Sequence, residues 1–311
     1  MEREQKREGE RKRREYLLQK EKHAQEIQAR RTASPKPKVT EATAPDDPPV
    51  EEAAGAPPEV IPAETSESPR AERPSAPARV PTFIVGLDDA IGGGFPSGFV
   101  IVIGGSPGTM KSSLAFRVVA ENAQHGRRAL YLACEQSTGG LLSQMEGLGI
   151  NLAGVPERVK VVDSVQLRRI LESHKGDWLP GLKALVDGAR TEGGIDLFVI
   201  DSLDGLDAIA AFEPRRRELF RLFEWLRDLG VTTIVVAERP DYLVQGTVLQ
   251  PRHDEDFLAD GVITLRLHPI SDQDVQRRLR IVKMRGTRHE TAYLALHVSD
   301  GEFQVGRLLG T

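Results

Sequence analysis

The chain has 311 residues, 39% hydrophobic, 28% charged and only 5% aromatic, with a formal net charge of −4. That length suits one sizeable α/β domain with an appendage, and the charge balance gives no global case for nucleic acid or an acidic membrane surface. A single cysteine, Cys134, rules out a disulfide framework or a multi-cysteine zinc ribbon within one chain. No uninterrupted apolar run approaches the roughly 18 residues of a membrane span, and the charged N-terminus lacks the apolar core of a secretory signal. A soluble cytoplasmic protein is expected.

Residues 1–31 are almost all charged or amide-bearing. Glu2 with Lys6, Glu8 with Lys12, Glu10 with Arg14 and Glu26 with Arg30 set an acid four residues before a base, which supports a solvated helix. The arm is mildly basic, but it has neither an apolar stripe nor interleaved aromatics. It therefore reads first as an exposed helical arm of low stability and second as an arm that binds nucleic acid, a membrane or a protein partner. From 32 to 79 the composition turns to Pro, Ala, Glu, Ser and Thr, locally acidic through Glu51, Glu52 and Glu59 among others. Such a stretch cannot bury enough apolar area to offset chain entropy, so a disordered linker is expected. The folded domain is expected over 80–311.

That domain opens on a glycine-rich turn, Gly92-Gly-Gly-Phe-Pro-Ser-Gly98, directly ahead of a β-branched run at 100–103. The run stops at Gly104-Gly105-Ser106-Pro107-Gly108-Thr109-Met110-Lys111-Ser112-Ser113, and Leu114, Ala115, Phe116, Val118 and Val119 then carry a helical pattern to about His125. Strand, small-residue loop, lysine and helix are the anatomy of a phosphate-binding loop. Small residues let successive backbone N–H groups turn toward one anionic centre, and the helix N-terminus adds partial positive charge. In this reading Lys111 reaches the β/γ-phosphates, Ser112 offers a hydroxyl to Mg²⁺ and Ser113 contacts the α-phosphate. Met110 departs from the G-x-x-x-x-G-K-[ST] pattern, so a side chain must fit where glycine leaves space.

Further apolar runs at 128–134, 159–162, 195–200 and 231–237 alternate with helical segments at 138–148, 166–174, 182–190 and 213–229. This alternation predicts parallel strands with helical crossovers. After it come strands at 262–267, 277–284, 291–298 and 303–305 with little helix between them, which predicts an antiparallel extension.

Several charged residues stand at strand ends, where open parallel sheets bind ligands. Asp201 ends an apolar strand about 90 residues after Lys111, and a carboxylate there can hold a metal's water shell. Glu135 can orient or deprotonate an attacking water, or it is simply an acid at a helix start. Glu238 either senses a γ-phosphate or caps a loop. Cys134 reads as a small buried hydrophobe. Lys283 and Arg285, at i and i+2 ahead of Gly286, share one strand face and suit phosphate stabilisation, in this subunit or a neighbour's, although their spacing alone favours a solvated face.

Taken in order, these stretches resemble the KaiC family within the RecA-like P-loop ATPases. The resemblance rests on Gly86-Leu-Asp and the glycine turn, the loop 105–112, Leu-Ala-Cys-Glu135-Gln, Val-Ile-Asp201-Ser-Leu, Ala-Glu238-Arg, Leu-Ala-Asp260-Gly-Val-Ile and Lys283-Met-Arg285-Gly-Thr-Arg-His289. It covers about 80–306 and implies a RecA-like core, ATP with Mg²⁺, and water activation by Glu135. It also implies that Lys283 and Arg285 reach the γ-phosphate of the adjacent protomer in a homo-oligomeric ring, typically a hexamer. Gln136 replaces a second acid of the clock proteins, which carry two such domains where this chain has one. Asp254-Glu-Asp-Phe257 offers no Ser or Thr, so no autokinase cycle is expected there. RadA/Sms-type repair proteins are a weaker resemblance, since their zinc ribbon needs several cysteines, and the 241–253 segment lacks a basic, aromatic strand-binding surface. A slow, Mg²⁺-dependent regulatory ATPase is expected. The alternatives are a nucleotide-gated interaction protein with little hydrolysis and a DNA repair accessory ATPase.

Overall fold

A computed structural model of the chain describes residues 78–174, 177–239, 242–244, 247–249, 253–271 and 273–308. The expected arm at 1–31 and nearly all of the expected linker lie outside these residues. The first strand, β1 (Arg79–Val80), pairs with β2 (Phe95–Pro96) around the short helix α1 (Leu87–Ala90). The loop strand β3 (Val100–Gly105) leads into α2 (Lys111–Gln124), then β4 (Ala129–Ala133), α3 (Thr138–Gly147), α4 (Val155–Arg158) and β5 (Val159–Asp163). Next come α5 (Ser164–Glu172), α6 (Trp178–Gly193), β6 (Leu197–Asp201), α7 (Leu203–Ala210), α8 (Arg215–Leu229) and β7 (Thr232–Glu238). The strands β8 (Tyr242–Val244) and β9 (Thr247–Leu249) and helix α9 (Asp254–Leu258) precede β10 (Gly261–Pro269), β11 (Val275–Met284), β12 (Leu294–Ser299) and β13 (Glu302–Arg307).

Nine strands form one sheet in the order β13-β12-β11-β10-β3-β7-β6-β4-β5. The six from β10 to β5 are parallel, and β11, β12 and β13 extend the sheet antiparallel, as the sequence pattern predicts. Parallel strands covered on both faces are apolar throughout, and here alternate residues serve two separate cores. Ile101 and Ile103 pack with Leu114, Phe116 and Val119 of α2, whereas Val100 and Val102 pack with Leu219, Leu222 and Phe223 of α8. Helix α8 buries Leu219, Leu222, Phe223 and Leu226 at helical spacing and stops at Gly230, whose φ of 67° suits a left-handed cap.

The short helices α1, α4 and α9 and the β1–β2 pair were not expected from the sequence, and two further differences lie closer to the strand ends. Residues 203–210 form α7, where no helix was expected, and the expected loop at 241–253 contains the antiparallel pair β8–β9. Among the described residues no helix is long and apolar enough to cross a membrane.

The order of strands fixes where ligands can go. From β3 the chain passes over β7 and β6 to reach β4, while β10 lies on the other side of β3. In open parallel sheets the ligand crevice lies at such a point, here the carboxyl end of β3, where the connections diverge.

Candidate nucleotide site

The loop after β3 enters that crevice. Met110 is the N-cap residue of α2 and adopts φ 71°, ψ 32°, the left-handed conformation in which glycine is usual. Its side chain is partly buried against the core beneath α2. A left-handed non-glycine residue costs roughly 1–2 kcal/mol, and burying part of a methionine side chain returns a contribution of about the same size. The methionine is accommodated by packing. Thr109 is buried and closes the loop by donating from Oγ1 to the Ser106 carbonyl at 2.7 Å.

The Lys111 amine lies within the loop, donating to the Ser106 carbonyl at 3.1 Å and standing 3.9 Å from the Glu238 carboxylate. Burial pushes its pKa down, against the pull of Glu238, Asp201, Glu135 and Asp204. Ser112 Oγ donates to Asp201 Oδ1 at 2.8 Å. The other Asp201 oxygen accepts from the fully buried Tyr131 hydroxyl at 2.6 Å. Burial raises the Asp201 carboxyl above its ordinary value, and the neighbouring Glu135 adds to the rise, while the Tyr131 and Ser112 hydrogen bonds and Lys111 oppose it. Tyr131 itself is pushed well up by burial and by Asp201. Ser112 and Asp201 thus present hard oxygen donors side by side at the start of α2, which fits a Mg²⁺ ion that also uses phosphate oxygens and water.

Glu135, exposed at the end of β4, accepts a hydrogen bond from Ser202 Oγ. Ser202 is the N-cap of α7, and its Oγ also accepts from the Gly205 N–H at 3.0 Å. A Cβ at Gly205 would stand 2.8 Å from Cys134 Cβ and 2.9 Å from Glu135 Cγ, so only glycine admits this approach. Cys134 is buried, and burial raises its thiol pKa beyond the useful nucleophilic range. Glu238 ends β7 with its side chain exposed, and its backbone N–H donates to Asp204 Oδ2 at 2.7 Å.

Glu135, Asp201, Glu238 and the loop therefore gather at one edge. Lys283 and Arg285 do not join them. Lys283 Nζ donates to the carbonyls of Asp256 (3.0 Å), Phe257 (3.3 Å) and Ala259 (2.6 Å), and its pKa is lowered by burial and by Arg285. Arg285 binds Asp260 Oδ1 at 2.9 Å and the Phe257 carbonyl at 3.2 Å. Asp260 in turn accepts from the Val100 N–H at 3.1 Å, at the amino end of β3. In the sheet register Lys283 lies opposite Val262, beside Val102, and both cations are tied to the segment 256–260 rather than to their own phosphate loop.

Residues 80–308 match the family model of the KaiC ATPase. The chain belongs to the KaiC family. Two curated KaiC relatives share its pattern at modest identity: circadian clock protein KaiC3 of Synechocystis is 28% identical over 233 residues, and the KaiC clock oscillator protein of Prochlorococcus marinus is 29% identical over 218. Each alignment takes in 68% of this chain but only 42% of the relative, so the chain spans less than half the length of these KaiC proteins. A solved KaiC-like protein from Pyrococcus horikoshii superposes with a TM-score of 0.59 at 26% identity, covering 74% of this chain and 99% of that one. The KaiC-type ATPase domain accounts for the loop, the sheet order and the antiparallel extension together.

Tyr131, Ser202, Asp204 and Arg239 are the site's supporting residues that the sequence reading did not single out. Ser202 carries a signal, since a serine immediately after a strand-end aspartate is placed to cap the next helix. Tyr131 lies inside an apolar run and carries none.

Proposed function

We propose that this chain is a Mg²⁺-dependent ATPase of low turnover that works as one subunit of a homo-oligomeric ring, hexameric by its family resemblance, and serves as a regulatory or signalling switch. The observation that carries the hydrolytic reading is the Glu135–Ser202–Asp201 arrangement beside the phosphate loop. The loop 105–110 turns its backbone toward the phosphates, Lys111 exchanges the Ser106 carbonyl for a phosphate oxygen, and Ser113 lies one residue further along α2. Ser112 and Asp201 would hold a Mg²⁺ ion, Asp201 partly through water. When bound, Mg²⁺ neutralises charge that builds on the β- and γ-phosphate oxygens. Glu135 takes the proton of the attacking water, and Glu238 senses the terminal phosphate from the end of β7. The Ser202 hydroxyl holds the Glu135 carboxylate in place beside the loop.

The ring reading rests on placement. Lys283 and Arg285 bind the segment 256–260 instead of their own loop, which supports the reading that they serve a neighbour's nucleotide in a head-to-tail ring. Glu135→Gln keeps the side-chain volume and removes the base. ATP binding should persist while phosphate release falls by about 10²–10⁴-fold; unchanged release would remove Glu135 from the mechanism.

A further inference from the structure

Helix α9 is gripped from two sides. On one side stands Arg239, the residue after β7, whose backbone N–H donates to the Gly105 carbonyl at 2.9 Å. Its side chain, only 8% exposed, turns back over Gly104 and fills the space where a Cβ would lie. The guanidinium forks onto the Asp256 carboxylate, with Nη1 to Oδ2 at 3.0 Å and Nη2 to Oδ1, and lies 3.7 Å from Glu255. On the other side Lys283 and Arg285 hold the carbonyls at the end of the same helix. Asp256 belongs to both grips: its carboxylate answers Arg239 and its carbonyl answers Lys283.

A bidentate pair whose arginine is buried moves as a unit, because separating it leaves the buried guanidinium without its partner. The backbone of Glu238 and Arg239 is therefore mechanically joined to the peptides on which Lys283 and Arg285 rest. Glu238 also stands 3.9 Å from Lys111, so an amine that leaves for a phosphate changes the charge balance at the end of β7. Core filling alone calls for an apolar side chain above Gly104. An arginine with two acidic partners on a five-residue helix does something more specific.

We infer that Arg239 is a positioning residue that couples the occupancy of a subunit's own nucleotide site to the placement of Lys283 and Arg285 for the next subunit's site. This rests on the ring reading above, and mixed oligomers of the full chain separate the two. Donor chains carry Glu135→Gln, so phosphate release comes only from the wild-type chains mixed with them. With donors in about ninefold excess, most wild-type sites receive their cations from a donor. Donors that also carry Lys283→Ala and Arg285→Ala should lower release per wild-type chain about tenfold relative to Glu135→Gln donors. Donors that also carry Arg239→Ala should lower it about threefold or more, Asp256→Asn donors should do the same, and the two changes combined should add little. Light scattering verifies donor incorporation. Asp256→Asn, which keeps the side-chain volume, carries the test if Arg239→Ala chains do not assemble. Arg239→Ala and Asp256→Asn donors that serve as well as Glu135→Gln donors, while the Lys283/Arg285 donors depress release, would overturn the coupling and leave the ring reading standing. No depression from the Lys283/Arg285 donors would overturn both.

Discussion

The two ends of β3 are built differently. At the carboxyl end, polar groups bond mainly to one another: Ser112 and Tyr131 hold Asp201, Ser202 holds Glu135, and Lys111 returns to its own loop. At the amino end, Lys283 rests on three backbone carbonyls and Arg285 on one carbonyl and the Asp260 carboxylate. The first set fixes side chains relative to each other before any phosphate arrives. The second keeps two cations ordered through contacts that an anion can replace. A pre-organised cradle at one end and exchangeable charges at the other give the two ends of β3 opposite characters, the asymmetry that the proposed head-to-tail ring requires.

The contrast breaks most visibly at the amino end. Replacing Lys283 and Arg285 by alanine should lower kcat by about 10³-fold while nucleotide affinity changes little, since both cations bind the segment 256–260 and not their own loop. Equal loss of affinity, measured by nucleotide titration, would place these cations on their own subunit's nucleotide. Ser202→Ala tests the carboxyl end. It should cut kcat about tenfold through a loosened Glu135 and lower the unfolding free energy by about 1 kcal/mol through the lost cap of α7; denaturant unfolding and phosphate release read the two separately.

Met110→Gly should do much less. It relieves roughly 1–2 kcal/mol of left-handed strain but loses side-chain packing and gains unfolded-state freedom, so stability should stay within about 1 kcal/mol. Because the side chain packs against the core, turnover should also change by less than about twofold. A large gain in affinity would show that Met110 crowds the phosphates after all.

The smallest effect is one of pH. Burial raises Asp201 above the ordinary aspartate value of 3.8, so its charge penalises the folded state at any pH above the raised value. The penalty disappears as pH falls through that raised value toward 3.8. Asp201→Asn removes it at every pH. Wild type should therefore gain stability relative to Asp201→Asn on acidification through that window, and a gap that widens instead would reverse the sign assigned to Asp201.

Much of this was legible because the strands are apolar on both faces and each ends abruptly at Gly104, Glu135, Asp201 or Glu238. A ligand edge can be inferred from such endings. Helix α7 was not legible: Leu203-Asp-Gly-Leu-Asp-Ala-Ile-Ala210 contains glycine and two acids, and its helicity depends on the Ser202 cap and on burial of Leu203 and Leu206. The β8–β9 pair had a weak signal, two short β-prone triplets around Gln-Gly, which read more easily as loop. Distant partners were beyond reach. Nothing local ties Tyr131 to Asp201, or explains why position 104 must lack a side chain until Arg239 is seen above it.

The chain's single thiol lies directly under this edge. The Cys134 N–H donates to the Asp201 carbonyl at 2.7 Å, and its side chain is covered by α7 at Gly205. A reagent reaches that sulfur only when α7 lifts or β4 parts from β6, which is also the motion that would separate Glu135 from Asp201. The rate at which Cys134 is labelled is therefore a built-in clock for openings of the site's floor, with no engineered probe needed.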